Sequence, residues 1–408
     1  MVAEDVAPTL DAAHARIAAV QPQAYARTRN AIGGAVSGLG PYVTHGFVTL
    51  AEVLAGVAAH HTLNVRDKFV FELGWREYFR HVWAQRGSGI LQSLHAGPLP
   101  DEAYGRELPA DVRQARTGVP VVDQAVSTLY ATGMLHNHAR LWLASYVVHL
   151  RKVHWRVGAD WLYGHLLDGD LASNHLSWQW VAGTGSPKPY LFNADNVARH
   201  APPEWHSPGS VIDASYEALD RRARGGPMPP GPDGGADRAV SMAAEPVLRP
   251  DPPQDLGVST PDADHVAGRE VRLVHPWSLG KLPAALPSET VVVGLFVADF
   301  HRAWPWNERR WRFVGRRMAG LAPLRWHGDA AAIAAALRGA RRVRGITEPH
   351  LAPWLEGWAE CRDAPRLFPP VERRCDSFSQ WWAQATRGLV SVADLLHRPQ
   401  PEQATLPW

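Results

Sequence analysis

The segment spanning residues 135–196 sets a charge beside an apolar helical stripe, and few folds satisfy both. Ala139, Trp142, Leu143, Tyr146, Val147 and Leu150 recur at spacings of three and four, which predicts a buried helix face. Arg140 lies next to that stripe. A guanidinium covered without a partner is very costly, and Asp168 and Asp170 are the nearest candidates in the run that follows. Asp-Gly-Asp also suits a turn entering a helix, where a carboxylate is favoured at the N-terminus. On periodicity alone this is a capped helix with a structural ion pair. A metal site drawn from Asp168, Asp170, His136 and His138 lacks the ligand spacing of a closed site, so no metal is expected.

A chain of 408 residues can bury a sizeable core and holds two domains on size alone. Its net charge of +2 is not the signature of a strong nonspecific nucleic-acid binder. Cys361 and Cys375 form no close pair motif. That argues against a disulfide framework or a zinc site and fits a reducing, cytoplasmic setting. No apolar run is long enough to span a bilayer, so no membrane partner is expected. Tryptophan is abundant, 18 of 408 residues. Packing accounts for most indoles, although an indole can also carry an electron.

The texture of the chain changes twice. Residues 1–222 read as helical: a helix near the start with Leu10, Ile17 and Val20 on one side, a glycine-bearing loop up to Tyr42, an amphipathic helix over 66–85, and a closing helix before Arg222. Residues 223–264 are rich in Gly, Pro, Ala and Asp and read as a flexible or disordered linker. Residues 265–408 alternate strand and helix patterns, which suggests a smaller α/β domain with a parallel sheet. It has no glycine-rich nucleotide fingerprint.

One ordered set of residues goes beyond pattern. Asn137 and Arg140, Trp155-Arg156, Asp168-Gly169-Asp170-Leu171-Ala172, Asn174 and Trp178-Gln179-Trp180 together resemble the flavin-binding heart of the photolyase and cryptochrome family. The resemblance implies an all-α FAD-binding photolyase-type domain over 1–222, in a short form with no antenna domain before it. It implies an Arg140–Asp168 ion pair beside the isoalloxazine, Asp170 accepting from the flavin's pyrimidine edge, and Asn174 facing N5. A cation beside the ring favours a reduced, anionic flavin, and an amide can serve either protonation state of N5. Tyr25, Ser37 and Leu39 match the stretch that holds the FAD phosphates, with departures at Val36 and Gly40. Trp178 and Trp155 match two members of the family's electron relay, and Trp180 belongs to the same motif. The outer relay tryptophan would align near Glu102 and is absent there; Tyr104, Trp142 and Trp161 are candidates to replace it. The α/β segment faintly resembles a permuted antenna domain. The alternative there is an unrelated α/β domain used for packing or partner binding, and a second chromophore is left open.

Glu72, Trp75 and Arg76 match the family's Glu-x-x-Trp-Arg-Glu pattern. The resemblance implies that Glu72 and Trp75 face a pyrimidine dimer and that Arg76 supports the flavin. An indole can stack on a flipped base, and a carboxyl can share a proton with a pyrimidine carbonyl. The plain alternative is a Glu72–Arg76 pair at i, i+4. Asn137 and Leu141 favour a cyclobutane dimer over the (6-4) photoproduct. The implied function is light-dependent repair of cyclobutane pyrimidine dimers in UV-damaged DNA by electron transfer from reduced FAD. A blue-light sensor without repair activity and a FAD-binding scaffold without photochemistry are the rivals.

Overall fold

The structure is a computed structural model that describes residues 6–227 and 243–397. These group into two compact units. Residues 23–36, 85–227 and 243–246 make unit one; residues 6–22, 37–84 and 247–397 make unit two. The grouping does not follow the expected boundaries 1–222, 223–264 and 265–408. Local contacts explain the difference. Within unit two, Trp75, Glu77 and Arg80 of the helix Lys68–Arg86, here α1, meet Phe378, Phe368 and Glu348.

Unit one is helical. The helix Pro120–Thr132 ends at Gly133, whose φ of 69° is the left-handed conformation glycine adopts without cost. Helix α2, Asn137–Ser145, follows and runs into a π-helical turn, Tyr146–Leu150. Helices α3, Trp155–His165, and α4, Leu171–Ala182, complete the layer. The stripe Ala139, Trp142, Leu143, Tyr146, Val147 and Leu150 is buried in the core, as its spacing predicts. Gly158 lets α3 and α4 approach, because a Cβ there would stand 2.3 Å from the Trp178 ring.

Unit two holds a five-stranded parallel sheet. Its strands are β1 Glu270–Val274, β2 Val291–Val297, β3 Leu324–Gly328, β4 Arg342–Ile346 and β5 Glu360–Arg362, in the spatial order β3-β2-β1-β4-β5. The order reverses between β1 and β4, where open α/β sheets bind ligands beyond their strand ends. Here that crevice is filled from within. Trp277 stacks on His350 at 4.2 Å and 10°, and Arg80 of α1 donates to Glu348 at 2.6 Å. Burial works against the Glu348 carboxylate, yet the Arg80 and His350 charges hold its pKa down to about 2.

Two expectations need correcting. The stretch before Tyr42 is not all loop: it carries the short helices Pro22–Thr28 and Gly40–Thr44. The expected linker 223–264 is structured where it is described. Glu245 accepts from Arg113 at 2.8 Å and from the Trp161 indole at 3.0 Å, and Leu248–Arg249 pairs antiparallel with Trp306–Asn307. Proline- and aspartate-rich chain can be ordered by such side-chain and edge contacts, which composition does not display. Residues 228–242 of that stretch lie outside the described residues.

Candidate functional site

In unit one the chain builds a polar corner around Arg140. Its Nη2 donates to both Asp168 oxygens at 2.9 Å, and its Nε donates to the Leu135 carbonyl at 2.8 Å. The amide of Leu167 donates to the Gly133 carbonyl at 2.7 Å, which ties the Asp168 loop to the turn that precedes α2. Asp170 is the N-cap of α4: its Oδ1 accepts from the Ser173 amide at 2.9 Å, and the residue is 1% exposed. One turn on, buried Asn174 donates through Nδ2 to the Ala159 carbonyl at 2.8 Å. Asn137 opens α2 and is exposed. A guanidinium held by one carboxylate, a second carboxylate at a helix start and a carboxamide a turn later form the donor and acceptor set that the polar edge of an isoalloxazine requires.

His138 follows Asn137. Burial, then the neighbouring His136 and His200 charges and Arg29, lower its pKa to about 4, so it is neutral near pH 7 and offers no cation to a phosphate.

The relay candidates separate cleanly. Trp155 and Trp178 are buried on the adjacent helices α3 and α4, and the Trp155 indole donates to Ser93 Oγ at 3.0 Å. Trp180 is 41% exposed and tilts against Tyr190 at 5.5 Å. Of the three possible outer donors, Tyr104 meets His154 edge-on at 6.3 Å, and His154 lies 5.6 Å from Trp155. Trp142 instead faces His138, Phe192 and Asn196, and Trp161 faces Tyr130, His165 and Glu245. Tyr104 alone of the three reaches Trp155 through a single ring.

Tyr25 belongs to unit one, whereas Ser37, Leu39, Glu72, Trp75 and Arg76 belong to unit two. Ser37 Oγ accepts from the Leu39 amide at 3.4 Å, and Leu39 is buried. The sequence reading passed over Arg16. Its guanidinium lies against Gly38, where a Cβ would stand 2.5 Å from Nη1, and Gly38 has a φ of 63°. Arg16 sits on the separate helix Leu10–Ala18, so no local motif flags it.

On α1, Glu72 pairs with Lys68 at 2.9 Å, and Arg76 donates to Thr44 Oγ1 at 3.2 Å. Trp75 is stacked face to face with Phe378, centroids 4.0 Å apart and planes 9° from parallel. Its ring is therefore occupied by the chain itself, which the sequence reading did not anticipate. Glu77, the last residue of the pattern, accepts the amides of Leu367 and Phe368. Burial raises its pKa to about 7 against the pull of those amides and of Arg366 and Arg76.

The family description "FAD binding domain of DNA photolyase" matches residues 69–204. The deoxyribodipyrimidine photo-lyase of Synechococcus sp. is 32% identical over 180 residues, 40% of this chain and 36% of that protein. The deoxyribodipyrimidine photo-lyase of Streptomyces griseus is 35% identical over 154 residues, 38% of this chain and 33% of that protein. The cryptochrome DASH of Gloeobacter violaceus is 32% identical over 174 residues, 40% of this chain and 34% of that protein. The chain thus spans about a third of the length of these relatives. Among solved structures, the Synechocystis cryptochrome is 24% identical with a TM-score of 0.41, covering 48% of this chain and 44% of that one. Among the described residues no helix is long and apolar enough to cross a membrane, and no group of His, Cys, Asp and Glu could hold a metal ion. Residues 69–204 thus carry the FAD-binding segment of the photolyase/cryptochrome family.

Proposed function

We propose that this protein binds FAD and uses light to split cyclobutane pyrimidine dimers in DNA. The observation that carries the reading is the Arg140–Asp168 pair followed by buried Asp170 and Asn174, a polar set suited to a flavin edge. When bound, reduced FAD supplies the excited electron. The residues here do the rest. Arg140 holds positive charge near the ring through Asp168. Asp170 accepts from the ring's N–H edge, and Asn174 offers a carboxamide that tolerates either state of N5. Tyr25, Ser37 and Leu39 take the phosphate end, and Arg16 supplies a cation beside Gly38 where Val36 and Gly40 provide no hydroxyl. Trp178 and Trp155 pass electrons inward, with Tyr104 feeding them through His154. Glu72 and Trp75 face the lesion; Asn137 and Trp180 are exposed.

Glu72 acts on the lesion, and Arg76 on the flavin. A carboxyl that hydrogen-bonds a pyrimidine carbonyl gains strength as charge arrives there, so it aids splitting more than binding. The test is direct: illuminate the fully reduced protein with a thymine-dimer oligonucleotide and count repaired dimers. Wild type should repair, and Glu72→Ala should keep FAD and photoreduction while repairing about ten to a hundred times fewer dimers per photon. Reduced wild type that repairs none overturns the reading. One observation favours the rival reading, a blue-light sensor: Phe378 covers the Trp75 face that repair needs.

A further inference from the structure

The two sides of the parallel sheet in unit two differ in chemistry. A Cβ added at Gly345 of β4 would meet Cys361 Sγ and Leu355 Cδ1 at 3.3 and 3.8 Å, so that side packs under helix α5, Ala352–Trp358. Side chains alternate along each strand, and register carries the alternation to its neighbours. Glu270 pairs with Arg342, Arg272 with Arg344, Arg344 with Glu360, and Ile346 with Arg362. The side of β1, β4 and β5 away from α5 therefore bears Arg272, Arg342, Arg344 and Arg362 against the carboxylates Glu270 and Glu360. Leu286 and Thr290, from the segment joining β1 to β2, line a recess on this side with Glu270, Arg272, Arg342 and Arg344. Glu270 and Arg342 open their strands, so the recess lies at the end of the sheet opposite the crevice filled by Trp277 and His350.

Arginines on a solvated sheet face keep their guanidinium groups in water. Here Arg272 is 5% exposed, and the Arg344 side chain keeps 17% of its surface. Burial, then Arg362 and Arg344, lower the pKa of Arg272 to about 10 against the pull of Cys361. Carboxylates answer this charge only in part. Glu360 holds Arg342, and Glu270 is divided between Arg341 at 3.4 Å and Arg344 at 3.8 Å. The last distance is too long for a hydrogen bond, and it is the one ion pair of Arg344 among the described residues. The Thr290 hydroxyl is buried and makes no hydrogen bond among them either. A guanidinium and a hydroxyl with donors to spare thus line one positively charged recess.

We propose that this recess binds a phosphate dianion, free or as the terminal phosphate of a nucleotide, through Arg344, Arg272 and the Thr290 hydroxyl. Phosphate oxygens accept from all three, and the planar fork of arginine suits phosphate geometry. Glu270 and Glu360 interrupt the arginine rows. A phosphodiester backbone is followed by successive cations, so the interrupted pattern fits a single terminal phosphate. The site lies wholly in unit two and uses no residue of the corner around Arg140.

The test is isothermal titration of the full chain with inorganic phosphate, with AMP, and with an undamaged oligothymidylate lacking terminal phosphates. One phosphate should bind per chain, and AMP should compete with it. Arg344→Gln should weaken phosphate binding about tenfold, and Arg344→Lys should recover part of the loss by keeping the charge without the fork. Thr290→Val, nearly the same in shape, should weaken it several-fold. Glu270→Gln should tighten it several-fold, because the carboxylate that competes for Arg344 is gone; damage to the fold would not produce that gain. Flavin content should not change in any of these variants. AMP binding tighter than phosphate supports the proposal with a nucleotide as ligand, and equal affinities support it with phosphate alone. Absence of binding to wild type at millimolar phosphate overturns the proposal. So does binding that Arg344→Gln and Thr290→Val leave unchanged. Oligothymidylate that displaces phosphate overturns it in favour of a backbone track.

Discussion

Arg140 reaches both oxygens of Asp168 through one nitrogen, 28 positions along the chain, while its Nε is spent on the Leu135 carbonyl of its own turn. The guanidinium is thereby fixed at two points. Asp168 then sets its orientation.

Asp168→Ala should leave that guanidinium without its carboxylate, destabilise the protein by about 1–3 kcal/mol, and cut FAD retained after purification. Thermal unfolding and the ratio of flavin to protein absorbance measure both effects. Asp168→Glu should recover part of each. Wild type that stays colourless after reconstitution with FAD counts against the whole assignment.

With the guanidinium beside Gly38 proposed to serve the phosphate end, Arg16→Ala should weaken FAD binding by about tenfold and leave riboflavin binding unchanged. Arg16→Lys should fall between, since an ammonium keeps the charge without the fork. Titration of apoprotein with the two flavins decides it; equal losses for both would remove Arg16 from the phosphate end.

Tyr104→Phe should slow photoreduction of the oxidised protein several-fold and spare flavin content. Trp161→Phe should do neither, because Trp161 packs against Tyr130, His165 and Glu245. Absorbance under steady blue light with an external reductant gives both rates. Unchanged rates in Tyr104→Phe would show that electrons enter Trp155 from elsewhere.

Glu77 should make stability fall with pH. Its pKa is raised in the folded protein to about 7 from 4.5, so the folded state holds the proton more tightly. The stabilisation is complete below about 4.5 and is lost as pH rises through about 7. Melting temperatures of wild type and Glu77→Gln between pH 4.5 and 8 should therefore diverge by a few degrees on the order set by domain size. The wild type should lose the more over that window, and parallel curves would exclude Glu77 as the source.

The apolar stripe from Ala139 to Leu150, the strands VVVGLFV and RLVHP, and the Asp168–Asn174 run were legible because each depends on neighbours within a turn or a strand length. Period and capping are local physics, and a chain displays them in order. The partner of Arg140 was legible too, since a charge beside a buried face requires a nearby acid. Other relationships depended on residues far apart. Trp75 sits under Phe378, 303 positions on by the numbering, and Arg16 lies against Gly38 from another helix. Glu72 pairs with Lys68, and Arg76 reaches Thr44 on another helix. The apparent linker is held in place by Glu245 and by a two-residue strand pair. The sequence by itself determined the buried helix stripe, the core strands and the pairing of Arg140 with Asp168. Only the tertiary structure decided which faces stay open, because burial of a face depends on whatever part of the chain folds back over it.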